Sequence, residues 1–566
     1  MIRWNIRKPD KSKSEGLSES LGVSPIIAQL LINRGINDVQ KAKTFLNGGV
    51  SELYDPFLME GMRESVERLK KAIEKKEKIL IHGDYDVDGI TAISVLVFTL
   101  RDFGIDPVYY IPDRITEGYG LSEAGVKEAI KNGVSLVVTV DCGISSFEEV
   151  KALNEHGIDV IITDHHEPPK VLPPAYSIIN PHKESCAYPD KNLSGVSVAF
   201  KLCEALCSGS DNKNIWKHLD LVSLGTISDV APLTGENRIL VKEGLKLLGN
   251  GTSNKGLKAL VKESGLKKKV FGSFDIGFIL GPRINAAGRI GRAQKAVELL
   301  LTADSKKAHS LAKLLNDANR ERQRIEGATL KEALFKIEKE VNFKEHKVIV
   351  LHNEDWHTGV IGIVASRISD RFYRPTILVS TKDGMGRGSG RSIEGFHLFE
   401  ALVNCSSLLK EYGGHKYACG LTIPEKNLDN FRNTINKIAS STIIPKALMP
   451  HIDIDMEVKL SSLGYDLVGD LSILEPFGAE NPRPVLCSKN LRLTRPPRVL
   501  KRNHIKLWVT DGTKDFEAIG FGLAKDTNNE EILKNSSEID LAYTASINTW
   551  QGLDTIQLKI EDIRPS

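Results

Sequence analysis

The run His82-Gly83-Asp84-Tyr85-Asp86-Val87-Asp88-Gly89 places three carboxylates at alternate positions. It directly follows a short apolar run (Ile79 to Ile81) and precedes a helical one (Thr91 to Leu100). Carboxylates this close repel one another unless a cation lies between them. Oxygen-rich donor sets suit Mg²⁺ or Mn²⁺, and imidazole ligands shift the balance towards Mn²⁺. Two further apolar runs end in the same way. Leu136 to Val140 leads into Asp141-Cys142-Gly143, and Val160 to Ile162 leads into Thr163-Asp164-His165-His166-Glu167. Asp229 closes a fourth, mostly apolar run from Leu219 to Ile227. Neighbouring parallel strands that deliver these groups to one sheet edge would build a pocket for two divalent ions about 3.5–4 Å apart. Such a pair clamps the attacking and leaving oxygens of a phosphoryl displacement.

Simpler readings of each piece compete with this one. A Ca²⁺-binding EF-hand loop would need Glu at the twelfth position from Asp84, and position 95 is Val. An isolated Asp after a strand is as often a helix N-cap, and an isolated His-His pair is usually structural. Recurrence after successive apolar runs favours a shared site.

These motifs need a sheet to carry them. From Lys78 to about residue 300, short apolar runs alternate with helical segments, the pattern of βαβ units and a buried, mostly parallel sheet. Residues 1–75 read as mostly helical. The segment 303–345 is charged and helical in pattern, reading as one or two connecting helices. Strand grammar resumes at Lys347, with Val348 to Leu351 and Pro375 to Val379, and is followed by a glycine-dense stretch, Gly384 to Gly395; 346–446 reads as a second α/β unit. Residues 447–566 carry short alternating runs, as in a small β-barrel or sandwich.

The 566 residues suffice for roughly three or four domains. A content of 41% hydrophobic and 26% charged residues excludes a wholly disordered or fibrous chain. No stretch approaches the ~20 apolar residues of a bilayer-spanning helix. The polar N-terminus lacks a signal-peptide core. Seven cysteines without a C-x-x-C pair argue against a disulfide framework or structural zinc, and point to a reducing, cytoplasmic setting. The net charge of +3 selects no partner by itself.

Taken together, Asp84 to Gly89, Asp141-Cys142-Gly143, Asp164-His165-His166 and Asp229 resemble the four motifs of the DHH phosphoesterase superfamily. Gly195 to Ala199, Leu224 to Pro232, Gly281 to Arg289 and Gly413-Gly414-His415 are similar to the RecJ family within it. The resemblance covers the chain from about residue 40 to its end. It implies a DHH catalytic domain at 76–302, a DHHA1 substrate-binding domain at 346–446 joined to it by the 303–345 helices, and an OB-fold β-barrel at 447–566. It also implies that Asp86 and Asp88 bind metal, that Asp141 bridges the ions, that His165 is an imidazole ligand and that Asp229 is the last ligand. His166 resembles the histidine that contacts the scissile phosphate or assists the leaving group. His82 stands where related pyrophosphatases place a metal histidine, and Asp84 is the alternative to it.

Arg114, Arg283 and Arg289 would each be a surface ion-pair residue if read alone. Within the family they resemble positions that grip the 5′ terminal phosphate or the neighbouring backbone, a task suited to the planar guanidinium fork. The stretch Gly384 to Ser392 is not a Walker loop, because no Gly-Lys-Ser/Thr follows at the required spacing. Its glycines could form an anion-binding nest, or simply a flexible hairpin tip. By resemblance, Ser389, Arg391 and His415 contact phosphate. From Asn481 through Val509 there are eight Lys or Arg, Arg502 among them, and no acidic residue. With Trp508 and Phe521 this fits the cationic groove and stacking rings of an OB-fold.

The implied activity is 5′→3′ exonucleolytic hydrolysis of single-stranded DNA by two Mn²⁺ or Mg²⁺ ions, releasing mononucleotides in repair and recombination. Single-strand-binding protein and a helicase are the implied partners, with no membrane. Two alternatives remain open: a phosphodiesterase of the same superfamily acting on short RNA or cyclic dinucleotides, and a non-catalytic single-strand-binding replication scaffold.

Overall fold

The computed structural model describes residues 2–114, 116–209, 214–289, 293–501, 503–525, 527–550 and 553–566. Arg502 of the basic block therefore lies outside the described residues. The chain divides into two compact units. One is Asp55–Asp229 with Gly244–Pro450. The other is Met1–Tyr54, Val230–Glu243 and His451–Ser566.

In the first unit, β1 (Ile79–Gly83), β2 (Val108–Tyr110), β3 (Leu136–Val140), β4 (Asp159–Thr163) and β5 (Ser177–Ile179) form an all-parallel sheet in the order β2-β1-β3-β4-β5. Every residue of β1 and β3 is buried, as expected for aliphatic strands covered on both faces. The register fixes the edge. Gly83 lies opposite Val140, and Val140 opposite Thr163. The next residue of each strand is therefore an acid at the same level: Asp84, Asp141 and Asp164. The chain leaves β1 to one side for β2 and returns on the other for β3, so these acids stand at a topological switch point, where open α/β sheets bind ligands.

Helix α1 (Val87–Asp102) is apolar all round and packs against α2 (Gly195–Cys207) and α3 (Leu219–Ser228). The run expected to close at Asp229 is thus a helix, with Asp229 as its C-cap. After α4 (Gly281–Arg289) comes one uninterrupted 36-residue helix, α5 (Ser305–Glu340), about 54 Å long. It lies along α4 and along α6 (Thr358–Phe372).

A second sheet has the order β9-β10-β8-β7-β6, built from β6 (Ile349–Asn353), β7 (Thr376–Lys382), β8 (Met385–Arg391), β9 (Glu411–Gly414) and β10 (Ala418–Pro424). Only β6 and β7 are parallel. The glycine-dense stretch is neither nest nor hairpin tip over most of its length. It is β8, paired on both sides, and only Asp383 and Gly384 make the turn with positive φ. Its glycines answer to packing. A Cβ at Gly386 would come within 2.6 Å of Val379, at Gly388 within 2.9 Å of Leu421, and at Gly390 within 2.6 Å of Cys419. Strand alternation turns Arg387, Ser389 and Arg391 to the opposite face.

In the second unit, β11 (Met456–Glu457), β12 (Leu486–Leu493), β13 (Arg498–Leu500), β14 (His504–Thr510), β15 (Asp515–Gly520), β16 (Ile539–Trp550) and β17 (Leu553–Pro565) follow the order β11-β12-β16-β17-β15-β14-β13. A further pairing of β12 with β14 bends the sheet into a partly closed barrel, the OB architecture. The helices Lys11–Leu21, Pro25–Asn33 and Val39–Asn47 contribute Leu17, Ile27, Leu30 and Phe45 to the same core as Leu486, Leu507 and Tyr543 of the barrel. Arg3–Ile6 pairs in parallel with His451–Ile454. Among the described residues, no helix is long and apolar enough to cross a membrane.

Arg238 ties this unit together. It is 2% exposed, lies 3.8 Å over the Phe45 ring and donates to the carbonyls of Phe45, Ile473, Leu474, Glu475 and Pro476. Removing it takes this donor from the carbonyls of Phe45, Ile473 and Glu475, and leaves Leu474 O and Pro476 O with only the Asn481 side-chain amide. Arg238→Ala is therefore expected to destabilise this unit by about 3 kcal/mol or more, and Arg238→Lys to recover little, because one ammonium cannot span the set. A urea titration of the intact chain showing an unmoved midpoint in Arg238→Ala would refute this.

Candidate metal centre

The sheet edge gathers the acids predicted from sequence. Groups of potential donor atoms lying within 4.8 Å of one another comprise Asp84, Asp86 and Asp141; Asp88, His165 and Asp229; and Asp141, His165 and His166. Asp141 and His165 belong to two groups each, so the three overlap in one cage. His165 Nε2 lies 3.2 Å from Asp141 Oδ1 and 3.9 Å from Asp229 Oδ2. His82 joins none of these groups among the described residues. It is fully buried, with Nδ1 3.7 Å from Cys142 Sγ, and burial pushes it down to about 4, leaving it neutral at pH 7.

Local structure fixes each acid. Asp86 caps α1, accepting from the amides of Asp88 (2.8 Å) and Gly89 (3.2 Å). Asp88 accepts from Gly195 N at 2.7 Å and Val196 N at 2.9 Å, the first amides of α2. Asp141 sits at φ 60°, a left-handed conformation more accessible to Asp than to most residues, and its amide donates to Thr163 O at 3.0 Å. Glycines make the room. A Cβ on Gly195 would fall inside the Asp141 carboxylate, and one on Gly225 would come within 2.7 Å of Asp88 Oδ1.

The electrostatics follow from crowding without solvent. Burial, then neighbouring carboxylates, push Asp84, Asp141 and Asp229 well above the ordinary carboxylate range, and Asp88 up to about 7. Burial takes His165 down to about 4, which leaves the neutral imidazole a metal requires. Asp84 Oδ1, Asp141 Oδ1 and His165 Nε2 are buried without a hydrogen-bond partner among the described residues. Orphaned polar atoms in overlapping donor groups that share Asp141 are what hard divalent cations with oxygen and nitrogen ligands would satisfy. The residues present therefore fit Mn²⁺ or Mg²⁺.

His166 differs from His165. Its Nδ1 lies 2.7 Å from Asp164 Oδ1 and 2.9 Å from the Tyr119 hydroxyl. Burial acts to lower its pKa, but the Asp164 hydrogen bond and charge outweigh this and raise it. Asp164 also accepts from the amides of His165, His166 and Ile144, so it shapes this turn instead of entering the cage. Tyr119, which also donates to Asp141 O at 3.2 Å, carries no motif spacing and was invisible in the sequence.

Beside the acids stands a cationic group. Arg289 is pulled down to about 10 by burial and then by Arg114, Arg322 and Arg391, with Asp86 opposing. Arg114 stacks 5.0 Å over the Tyr85 ring, within the acidic motif. Arg391 donates to Ser389 Oγ at 3.2 Å, and both lie against α6 where Gly362 leaves space. Arg289 Nη1 reaches Gly359 O at 3.0 Å, bringing the first turn of α6 to the end of α4. Arg322, from the long helix, was not anticipated; it is held by Glu326 and Asn319. Arg283 lies apart, bonded to Asn316 and to Ile279 O, and His415 is exposed just beyond β9. In the barrel, Arg495, Arg498 and Lys506 each approach the Trp508 ring at 5.2–5.3 Å, and Phe521 is exposed against His504.

Comparison with known proteins places the chain in a family. Residues 78–226 match the DHH family, N-terminal domain; 345–441 match the DHHA1 domain; 454–562 match the RecJ OB domain. The chain is 38% identical, over 99% of its length and 70% of the relative's, to the single-stranded-DNA-specific exonuclease RecJ of Bacillus subtilis (strain 168). Among solved structures it is similar to RecJ of Thermus thermophilus in complex with Mn²⁺, with a TM-score of 0.85, 31% identity, and coverage of 100% of this chain and 80% of that one. The Mg²⁺ complex of the same protein gives a TM-score of 0.80 at 29% identity, covering 100% and 78%. With its DHH, DHHA1 and OB segments in that order and a relative so similar across its length, the chain belongs to the RecJ family.

Proposed function

We propose that this chain is a single-stranded-DNA-specific 5′→3′ exonuclease that depends on two Mn²⁺ or Mg²⁺ ions and hydrolyses terminal phosphodiester bonds to mononucleotides, in DNA repair and recombination. The observation that carries this reading is the cage of carboxylates and His165 with orphaned donor atoms, set directly beside desolvated arginines. In it Asp86, Asp88, Asp141, His165 and Asp229 hold the metal. Asp84, which the cage includes, completes it in preference to His82. When bound, the ions supply Lewis acidity towards the phosphoryl oxygens and an acidified water as nucleophile.

The remaining residues of the site bind and orient the substrate. Arg114, Arg289, Ser389 and Arg391 grip the terminal phosphate and adjoining backbone. Two or more mutually repelling guanidiniums gain most from a shared anion. Arg283 and His415 contact the strand farther out. His166, oriented by Asp164 and Tyr119, contacts the scissile phosphate or assists the leaving group. The cations around Trp508, with Phe521, extend the footprint on the strand. The 5′→3′ polarity comes from family membership. So do a helicase and single-strand-binding protein as partners; a cytoplasmic setting is also supported by seven unpaired cysteines.

Two experiments test this reading. After chelation with EDTA the protein should have no nuclease activity, with recovery in Mn²⁺. On oligonucleotides labelled at one end or the other, the 5′ label should be freed first, and blunt duplex should resist. A full rate after chelation would sink the proposal, and early release of the 3′ label would reverse the polarity.

The crowding also predicts a stability inversion. Without metal, Asp141→Asn should be more stable than the unaltered chain, because it removes one of several mutually repelling buried carboxylates. Asn also tolerates the left-handed backbone. Adding Mn²⁺ should raise the melting temperature of the unaltered chain strongly and that of Asp141→Asn little. Equal Mn²⁺ shifts in thermal melts of the two proteins would remove Asp141 from the metal site.

A further inference from the structure

Phe274 and Phe278 are 66% and 72% exposed, yet their rings stack on each other at 4.9 Å between centroids and 21° between planes. They begin a helical segment whose first part, Asp275–Leu280, is a wider π-helix and whose second part is α4. π-Helical turns occur frequently at functional sites, where they re-aim side chains. A loop carrying Lys267, Lys268 and Lys269, all exposed, and the 79% exposed Val270 leads into it. The one carboxylate in this stretch, Asp275, is taken up by Lys268 and by the Gly272 amide. Among the described residues, Lys267 and Lys269 have no ion-pair partner. Rings that stack in water beside unneutralised lysines suit a ligand that offers flat π-faces and negative charge together.

The segment also has a direction. Continuing from Phe274 and Phe278 at intervals of three or four residues, the positions that keep some exposure are Pro282, Asn285 and Arg289, while Ile284, Ala286, Ala287 and Gly288 are buried. This strip ends in the candidate site. Asn285 Oδ1 accepts from Val87 N in the acidic motif at 3.2 Å, and Arg289 belongs to the arginine group. From Phe278 to Arg289 is eleven residues, on the order of 16 Å of helix. A strand whose end is held at Arg289 could follow one uninterrupted helix face back to the aromatic pair.

We propose that Phe274 and Phe278 are a stacking platform for bases of single-stranded DNA upstream of the cleaved end, with Lys267 and Lys269 facing the backbone phosphates. This rests on the exonuclease reading above and adds to it a subsite outside the cage and the arginine group. Stacking on aromatic rings is sequence-tolerant, because every base has a π-face, and it selects for unpaired bases, since those in a duplex are already stacked. The platform therefore contributes to the preference for single strands as well as to affinity.

The test uses the full chain in Mn²⁺ with 5′-phosphorylated, phosphorothioate-linked oligo-dT, lengthened one nucleotide at a time and followed by fluorescence anisotropy. Affinity should rise by a step at the length that reaches the rings. In Phe274→Ala/Phe278→Ala that step should vanish, weakening longer strands by about fivefold or more. Both rings are exposed, so unchanged circular dichroism and melting are expected. Phe274→Leu/Phe278→Leu keeps apolar surface but loses the flat faces, and should also lose the step. An identical step in the alanine variant overturns the platform and leaves this face to a protein partner. A step retained by the leucine variant overturns stacking in favour of plain apolar contact. If the unaltered chain binds no oligonucleotide of any length, the exonuclease reading itself falls, an outcome distinct from the other two.

Discussion

Like charges held together without solvent are the constraint from which the rest of this structure can be understood. Asp84, Asp86, Asp88, Asp141 and Asp229 reach one cage from three separate stretches of the chain, and burial raises the cost of ionising most of them. Nothing local favours this. It is enforced by a fully buried parallel sheet whose register puts Asp84 and Asp141 at one level, by α2 amides that fix Asp88, and by a left-handed backbone at Asp141. Gly195 and Gly225 stand where any side chain would displace a carboxylate. A fold that accepts such internal conflict has traded stability for a pocket of defined charge, and a divalent cation resolves it.

The arginines present the same problem with the opposite sign. Arg289 is buried among Arg114, Arg322 and Arg391, which disfavour its charge, while Asp86 favours it. One excess of negative charge and one of positive charge thus adjoin across the acidic motif, with Tyr85 stacked under Arg114. A phosphodiester answers both at once, offering oxygens to cations in the cage and to guanidiniums beside it. The helix α5 matters here mechanically. Its Asn316 holds Arg283 and its Arg322 enters the cationic group, while its far end packs under the second sheet through Ala333 and Ile337.

The chemistry of the site was legible in the sequence because strand ends announce themselves: an apolar run stops and an acid follows. The parallel sheet, the second α/β unit and the barrel were legible for the same reason, through changes in periodicity. What stayed hidden has identifiable causes. Tyr119 and Arg322 act through tertiary proximity alone, with no spacing to mark them. The glycine-dense strand β8 read as a loop because glycine usually signals a turn. Here instead each alternate glycine keeps a Cβ out of Val379, Leu421 or Cys419. His82 looked as eligible as Asp84, and only packing separates them, since His82 turns towards Cys142 and Tyr110. The union of residues 17–46 with the barrel core joins segments more than 400 residues apart, beyond the reach of any local pattern.

Aromatic residues show how the same ingredients can be used in two ways. Trp508 and the arginines near it suggest a free stacking ring when read along the chain. In the structure Arg495, Arg498 and Lys506 all lie against that ring, so the indole serves first to collect cations and hold them at one place. Phe274 and Phe278 have no cation over them among the described residues, and each covers only the other. Rings occupied by guanidinium offer charge to a backbone, whereas rings left open offer a surface to bases. A single strand exposes both backbone and bases, so each kind of ring has something to offer it, and neither needs to read sequence.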